Sequence, residues 1–353
     1  MLAVSFCLLT SFISQLVEAA PRRGAVDNIS TRYLSIAPDQ GGAPALLPIY
    51  LSTDWSTPHP EITRAVVIIH GLLRNAATYF ETGQAVVAAG GAAGTAAAAA
   101  TTLVVAPQFL NTVDTRAHAI PAQVLRWSGN AWMGGAPAVG PVPITSYAAL
   151  DAVLARLADR SLFPHLAHVA IIGHSGGAQV TQRYAIHAPG LDVLKRAGID
   201  AVFVIASPSS YAYFDTLRAA PDGGFAPFDA ATCADFDQWK YGMTQRPTPL
   251  SDLMPAQLES DYMSRQITYL VGGRDDDPQQ AVLDRSCAAE AQGANRLARA
   301  RNYFSYIRLR HPENTTQSFH IVPGVGHDGA RMLTSTCAVA TVFGTDACPA
   351  VQH

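Results

Sequence analysis

Residues 169–178 read VAIIGHSGGA, a short apolar run that leads directly into a glycine-rich turn. The run has the composition of a strand buried on both faces, and the residues after the turn continue as a helix. So sharp a turn forces its central residue, Ser175, into a strained backbone conformation, and Gly173 and Gly177 must lack side chains. The Ser175 hydroxyl would stand at the positive end of the helix. The pattern predicts a nucleophile; the alternative is a glycine-rich turn with an ordinary serine.

Composition limits the classes of protein to which the chain can belong. Of the 353 residues, 49% are hydrophobic and 14% are charged, and the formal net charge is −3. These values predict a globular protein with an ample core, as one large α/β domain with insertions or as two small domains. They predict no basic surface for nucleic acid or an anionic membrane. Only Lys195 and Lys240 are lysines among the 24 basic residues, which we attribute to genome bias.

The N-terminal segment predicts export. Residues 2–17 are apolar but too short to span a bilayer comfortably, and small residues follow at the positions that a signal peptidase reads. We therefore expect a signal peptide over residues 1–19 and a mature chain over residues 20–353. This protein would be secreted, or periplasmic in a bacterium, with no integral membrane segment. No basic residue precedes the apolar core, so either the signal is atypical or the true start lies upstream; the alternative is a buried N-terminal helix.

Four cysteines remain after the expected signal peptide: Cys233, Cys287, Cys337 and Cys348. An even number of cysteines in an exported chain predicts two disulfides, for which three connectivities are open. A bond between the last two would fasten the C-terminal tail, and a bond between the first two would tie the segments that flank the seventh strand. The alternative is four unrelated buried thiols. No spacing resembles a zinc site, so we expect no metal.

Eight segments have the character of strands, with helical patterns between them. The first two alternate loosely and predict antiparallel strands, whereas the later ones are short buried runs typical of parallel strands. These segments are 31–36, 47–51, 64–69, 103–106, 169–172, 201–206, 266–271 and 318–322. Alternating strands and helices predict an α/β fold with a mostly parallel eight-stranded sheet flanked by helices.

Four motifs follow strands in a fixed order. They are His-Gly at residues 70–71, Gly-x-Ser-x-Gly at 173–177, Gly-x-x-Asp at 272–275 and Gly-x-Gly-His-Asp at 324–328. Together they resemble the α/β-hydrolase superfamily over residues 31–340. The motifs identify the superfamily well and the substrate poorly. The resemblance implies the α/β-hydrolase fold and no cofactor.

The resemblance also implies a catalytic triad. Ser175 would attack, His327 would act as general base and then as general acid, and an aspartate after the seventh strand would orient His327. Asp275 fits the spacing of the superfamily, and Asp277 is the alternative acid. The backbone N–H groups of Leu72 and Gly176 would form the oxyanion hole; alternatively, the His-Gly pair before Leu72 is a simple turn.

The segment between the sixth and seventh strands, residues 208–265, would be a cap-like or lid-like insert, because insertions at this point often cover the nucleophile in proteins of this class. Within it Tyr211, Trp239 and Tyr241 are candidates for the pocket wall, as are Trp127 and Trp132 in the loop 111–146. The alternative is that these rings pack the insert and the loop onto the body.

The implied function is that of a secreted serine hydrolase cleaving a carboxylic ester through an acyl-enzyme. Its partner would be a small-molecule or polymeric ester substrate, and the sequence indicates no oligomeric state. Two alternatives stay open: an amidase or peptidase of the same fold, and a catalytically silent binding protein.

Overall fold

A computed structural model of the chain describes residues 24–38, 41–92 and 97–348. Of residues 92 and 97 it describes the backbone only. The signal peptide expected over residues 1–19 lies outside these ranges. Within them, no helix is both long and apolar enough to cross a membrane.

The described chain alternates strands and helices. The strands are β1 (Tyr33–Ile36), β2 (Ala45–Leu51), β3 (Arg64–Ile69), β4 (Thr102–Pro107), β5 (His168–His174), β6 (Asp200–Ala206), β7 (Leu217–Ala219), β8 (Phe225–Pro227), β9 (Gln266–Gly272) and β10 (Gln317–Val322). The helices are α1 (Ala76–Ala92), α2 (Ala97–Thr101), α3 (Thr112–Ala117), α4 (Ser146–Leu157), α5 (Gly176–Ile186), α6 (Gly190–Arg196), α7 (Pro255–Met263), α8 (Cys287–Glu290), α9 (Arg296–Arg310), α10 (Gly329–Leu333) and α11 (Thr336–Phe343).

Eight of the strands form one sheet in the spatial order β1-β2-β4-β3-β5-β6-β9-β10. Strand β2 runs antiparallel to both of its neighbours, and every other pairing in the sheet is parallel. The mostly parallel eight-stranded α/β sheet predicted from the sequence is confirmed. The remaining two strands, β7 and β8, form a separate antiparallel pair.

Both faces of the sheet are covered by helices. On β5, Val169 and Ile171 face one apolar core and Ala170 and Ile172 face the other, because successive strand residues point to opposite sides. Helices α4, α5, α6, α7 and α9 pack on the first face, and α1, α10 and α11 pack on the second. Each fully buried aliphatic side chain contributes about 1.5–3 kcal/mol, which favours this double-sided burial.

The parallel strands all end at the same edge of the sheet. Gly173 at the end of β5 pairs with Ile69 at the end of β3, and Gly272 at the end of β9 pairs with Val322 at the end of β10. The motifs that follow these strands therefore meet at this edge, where open α/β sheets bind ligands.

The insert, residues 208–265, contains the β7–β8 pair and α7. Near its start, the ring of Tyr211 stacks on Tyr303 of α9, with centroids 4.4 Å apart, and Phe214 packs against Tyr262 of α7. The guanidinium of Arg218 lies 4.1 Å from the centre of the Tyr213 ring. The contact of Tyr211 attaches the insert to α9, and the other two hold the insert together internally.

Two disulfides are present, Cys233–Cys287 and Cys337–Cys348. The first joins the insert to α8, across 54 residues of sequence, and the second joins α11 to the tail across 11 residues. Loop-closure entropy predicts a stabilisation of about 4 kcal/mol for the longer loop and about 3 kcal/mol for the shorter one. Of the three connectivities that the sequence left open, the structure has this one.

Candidate active site

The turn between β5 and α5 holds Ser175 at φ 57° and ψ −120°, a conformation that side-chain-bearing residues rarely adopt. Its backbone N–H donates to the carbonyl of Ala206, at 2.9 Å. A Cβ on Gly177 would lie 2.1 Å from the carbonyl oxygen of Ile69, and one on Gly173 would lie 2.5 Å from Gly177. Glycine is therefore required at both positions, as the sequence analysis expected.

Three side chains from three different loops form one hydrogen-bonded chain. The Oγ atom of Ser175 lies 2.9 Å from Nε2 of His327, and Nδ1 of His327 lies 2.9 Å from Oδ2 of Asp275. In the tautomer that satisfies both contacts, Nδ1–H donates to the carboxylate and Nε2 accepts from the hydroxyl. The His327 and Asp275 side chains are 10% and 4% exposed, so water is largely kept from this chain. Such an arrangement can move a proton from Ser175 to His327.

Asp275 and Asp277 lie in different environments, although they are two residues apart. Asp275 is buried beside His327, whereas Asp277 is exposed. An oxygen of Asp277 accepts from the backbone N–H of Gln279 at 2.8 Å, which closes a local turn. The structure thus brings Asp275, and not Asp277, to His327.

Arg296, at the start of α9, pairs with the second carboxylate oxygen of Asp275. Its Nη1 donates to Asp275 Oδ1 at 3.3 Å, and its other donors reach Ser209, Gln280 and Val282. The sequence did not indicate a role for Arg296, because nothing local distinguishes it from the other arginines of α9. Its buried guanidinium balances the charge of Asp275.

The local charges shift the pKa values of the pair. Burial lowers the pKa of His327 below its ordinary value of 6.5, and the charge of Arg296 adds to this effect, while the hydrogen bond to Asp275 opposes it. Burial alone would raise the pKa of Asp275, but His327 and Arg296 outweigh burial and lower it. At neutral pH we therefore expect an ionised Asp275 beside a neutral His327.

The pH dependence of the ester hydrolysis expected from the sequence tests this balance. His327 must be neutral to accept a proton, so kcat/KM should fall as the pH drops through its pKa, with a midpoint below 6.5. In Arg296→Met the loss of positive charge should raise the pKa of His327 and move the midpoint upward by about one unit. Arg296→Lys keeps the charge and should move the midpoint less. A midpoint above 6.5 in the parent, or a downward movement in Arg296→Met, would contradict the assignment.

Two backbone N–H groups, those of Leu72 and Gly176, lie close together beside Ser175. Gly176 is the first residue of α5, so its N–H has no partner within the helix. A Cβ on Gly176 would lie 2.9 Å from the backbone nitrogen of Leu72, so the two amides approach the same space. These are the two groups that the resemblance implied for an oxyanion hole.

His174, which precedes Ser175, lies against His327. Its ring centroid is 4.5 Å from that of His327, and its Nδ1 is hydrogen-bonded to the Tyr79 hydroxyl at 3.1 Å. Burial, reinforced by the charge of His327, lowers the pKa of His174 well below its ordinary value. His174 is therefore a neutral ring that packs on the face of His327.

Two cavities meet at Ser175. The smaller, about 190 Å³, is lined by Gly176, Lys240 and residues 281–284 among others. The larger, about 310 Å³, includes His327 and Tyr79. Leu72, Leu73, Ser175 and Val282 line both cavities. The cleft therefore continues on both sides of the serine.

None of the five aromatic residues expected in the pocket wall lines either cavity. Trp127 and Trp132 are fully buried, and Trp132 stacks on Phe109 with centroids 5.4 Å apart. Tyr211 packs on α9, as described above. These three rings form core contacts instead of the expected pocket wall.

The last two aromatic candidates hold loops in place. Trp239 donates from its indole N–H to the carbonyl of Gly134 at 2.7 Å, and Tyr241 donates from its hydroxyl to Asp284 at 2.8 Å. The insert lines the smaller cavity with Ser209 and Lys240, and the segment after β9 adds residues 281–284. Sequence reasoning missed this second segment because it carries no aromatic residue.

A metal site is not formed by the ligand-type side chains that the structure describes. The one close group of three is His320, Cys337 and Cys348, and the two cysteines are joined in a disulfide. Their sulfur atoms are thus not available as thiolate ligands. Beside Ser175, the carboxylate of Asp275 already pairs with His327 and Arg296.

The strand order, and the positions of Ser175, Asp275 and His327 after β5, β9 and β10, are those of the α/β-hydrolase fold. The resemblance noted in the sequence is confirmed at the level of the fold.

Comparison with known proteins agrees with this fold. Poly(aspartic acid) hydrolase-1 from Sphingomonas sp. KT-1 is 19% identical, with a TM-score of 0.58 over 90% of this chain and 99% of that chain. A poly(3-hydroxybutyrate) depolymerase from Bordetella parapertussis is 23% identical, with a TM-score of 0.55 over 88% of this chain and 89% of that chain. No model of a protein family matches the sequence, and no curated protein matches it.

Proposed function

We propose that this protein is a secreted serine hydrolase that cleaves a carboxylic ester through an acyl-enzyme. The observation that carries the proposal is the hydrogen-bonded chain from Ser175 through His327 to Asp275, with both contacts at 2.9 Å. The strained conformation of Ser175 supports it, because such strain is characteristic of functional residues.

In the first half of the reaction, Ser175 Oγ attacks the ester carbonyl while His327 Nε2 takes its proton. The oxygen of the tetrahedral intermediate accepts hydrogen bonds from the N–H groups of Leu72 and Gly176. Asp275, kept ionised by Arg296, stabilises the imidazolium. Collapse of the intermediate breaks the ester C–O bond, and His327 returns the proton to the departing alcohol.

In the second half, His327 takes a proton from a water molecule that attacks the acyl-serine ester. The same N–H groups stabilise the second intermediate. Its collapse frees the carboxylic acid, and His327 gives the proton back to Ser175. Apart from the substrate and this water molecule, the residues of the chain carry out both halves.

The two cavities have different roles in this mechanism. The departing alcohol must receive its proton from His327, which lines only the larger cavity. The larger cavity is therefore the leaving-group side. The smaller cavity, which contains Lys240 but not His327, is the acyl side.

An amidase or peptidase of the same fold is the second candidate, because the same triad can cleave an amide. The two neighbours above are named for polymers joined by different bonds, ester bonds in poly(3-hydroxybutyrate) and amide bonds in poly(aspartic acid). Their names therefore support hydrolysis and leave the bond type to experiment.

A matched pair of substrates tests the bond type. The purified mature protein is assayed with ethyl butyrate and with N-ethylbutyramide, which differ only in the scissile bond. We expect turnover of the ester, abolished by a fluorophosphonate that labels Ser175, and at most a trace of amide cleavage. Amide cleavage at a comparable kcat/KM would identify an amidase. Failure of the fluorophosphonate to label the protein, with neither substrate cleaved, would favour a silent binding protein.

Export and the role of the insert complete the proposal. Disulfides persist in oxidising compartments, and the two present here support a secreted or periplasmic protein. Residues 20–353 would then act as one domain, with residues 208–265 as a partial cap that supplies Ser209 and Lys240 to the acyl side.

A further inference from the structure

Lys240 lies on the acyl side of the cleft, and its ammonium has N–H groups that can bind a ligand. Its side chain is 31% exposed, and it lines the same cavity as Ser175. Its backbone carbonyl accepts from Nε of Arg183 at 3.3 Å, which holds this part of the insert in place. The ammonium donates to Asp284 Oδ2 at 3.1 Å. Because an ammonium has three N–H groups, two can serve a ligand in the cavity.

Asp284, the carboxylate beside Lys240, accepts three hydrogen bonds from the described residues. Its Oδ2 accepts from both Lys240 and the hydroxyl of Tyr241, and its Oδ1 accepts from the backbone N–H of Ser286 at 3.1 Å. Despite burial, the charge of Lys240 and these hydrogen bonds lower the pKa of Asp284, so it is ionised at neutral pH. It therefore cancels one positive charge in this part of the cleft.

Two further buried cations near Lys240 have no carboxylate partner among the described residues. Arg183 donates only to neutral acceptors, including the carbonyl of Met133 and the side chains of Gln179 and Ser210. Arg299 likewise donates to the carbonyls of Gly293 and Ser209.

The charge balance at this end of the cleft is therefore positive. Burial lowers the pKa of the Lys240 ammonium; the charge of Asp284 opposes this effect, and the charges of Arg183 and Arg299 add to it. Because the charge of Glu290 also acts on Arg299, an anion beside Lys240 would meet three cations and two carboxylates, an excess of one positive charge. In a partly desolvated cleft such an excess of charge attracts an anionic group more strongly than in water.

The residue type at position 240 is itself informative. The chain uses arginine for 22 of its 24 basic residues, and Lys195 on the surface is the other lysine. An ammonium is a compact point charge, whereas a guanidinium is broad and planar. A lysine at this position leaves more of the cavity open than an arginine would.

We propose that the acyl side of the cleft binds substrates whose acyl group carries a second, free carboxylate, which the Lys240 ammonium holds. The substrates would be monoesters of short dicarboxylic acids, or polymer ends that present the same group. This inference rests on the proposed ester hydrolysis and specifies its acyl group.

The test compares two esters of the same dicarboxylic acid, one with and one without a free carboxylate. Monoethyl esters of succinic, glutaric and adipic acid carry the carboxylate, and the corresponding diethyl esters are the neutral references. For at least one acid, the parent protein should show a higher kcat/KM with the monoethyl ester. In Lys240→Met the ratio of monoethyl to diethyl kcat/KM should fall by about 10- to 100-fold, the range typical of a lost hydrogen bond to a charged group.

Three further variants separate charge from structure. Lys195→Met removes the other lysine, which is exposed on α6, and should leave the ratio unchanged. Lys240→Arg keeps the positive charge and should retain more of the preference than Lys240→Met. Asp284→Asn removes the opposing carboxylate and should raise the ratio. Thermal unfolding of each variant identifies any loss of structure.

The outcomes distinguish this inference from the proposed function. Ser175-dependent hydrolysis of the diethyl esters with no preference for any monoethyl ester would overturn the inference alone, as would an unchanged ratio in Lys240→Met. If no ester is hydrolysed, the proposed function fails, and calorimetric titration with succinate, glutarate and adipate decides the inference. Binding that is lost in Lys240→Met would support it, and the absence of binding would overturn it.

Discussion

Replacing Ser175 with alanine is expected to lower kcat for ethyl butyrate by about 10⁴- to 10⁶-fold, because the acyl-enzyme can no longer form. Any residual turnover would come from direct attack by water, assisted by the oxyanion hole. The variant should remain folded, since Ser175 Oγ contacts only His327 among the hydrogen-bond partners found in the described part of the chain. Alanine at this turn keeps the same backbone strain, so stability should change little.

The measurement is kcat on purified protein, with fluorophosphonate labelling and thermal unfolding on the same sample. Ser251→Ala, an exposed serine in the insert, is the matched control and should keep the activity and the labelling of the parent. Ser175→Ala activity within tenfold of the parent, in a folded and unlabelled protein, would refute the acyl-enzyme mechanism.

The second large effect is expected at Asp275. An asparagine at this position carries no charge to stabilise the imidazolium of His327. Its amide can also donate to Nδ1, which favours the wrong tautomer, so kcat should fall by about 10⁴-fold. The buried guanidinium of Arg296 would lose the one carboxylate with which it pairs in the described part of the chain, and some loss of stability should accompany the loss of activity.

Asp277→Asn is the control that the chain itself provides. The substitution is chemically identical and two residues away, but Asp277 is exposed and its side chain only closes a turn. Its kcat should stay within about twofold of the parent, because surface substitutions of this kind have small effects. A larger loss in Asp277→Asn than in Asp275→Asn would transfer the acid role to Asp277.

The effects expected at Asp275 and Arg296 have a common cause, the charges that surround His327. Arg296 holds one oxygen of Asp275 while His327 takes the other, so the carboxylate is both oriented and kept ionised. Substitution of either neighbour should therefore change the pH profile as well as the rate. The pH midpoint in Arg296→Met and the rate in Asp275→Asn therefore both test the buried Arg296–Asp275 pair, each by removing one of its two charges.

The sequence predicted correctly those features that depend on neighbours along the chain. An apolar run needs only its own residues to be recognised as a buried strand, and the eight-stranded, mostly parallel sheet followed from such runs. The turn at Ser175 was equally recognisable, because strain at the serine and close packing at Gly173 and Gly177 demand a fixed local pattern. The strands of the sheet and the turn at Ser175 are both encoded by residues that are close together in the chain.

The choice between Asp275 and Asp277 depended on a contact between residues that are far apart in the sequence. Both residues follow β9, and spacing alone favoured the first without excluding the second. The decision depends on His327, which lies 52 positions away from Asp275 in sequence and reaches it only through the pairing of β9 with β10. The disulfide partners were likewise left open by the sequence, since their distances depend on how the insert packs.

The sequence alone thus determined the α/β architecture and the strained glycine-flanked turn at Ser175, because each is encoded in contacts between residues close in the chain. Only the tertiary structure showed which side chains other than His327 and Asp275 lie around Ser175. Trp127 and Trp132, expected in the pocket, lie in the core, because large apolar rings gain most from complete burial. Arg296 and Lys240 approach the cleft from α9 and the insert, and no local pattern marks them. Their positions follow from packing between segments far apart in sequence, which periodicity and motif spacing do not encode.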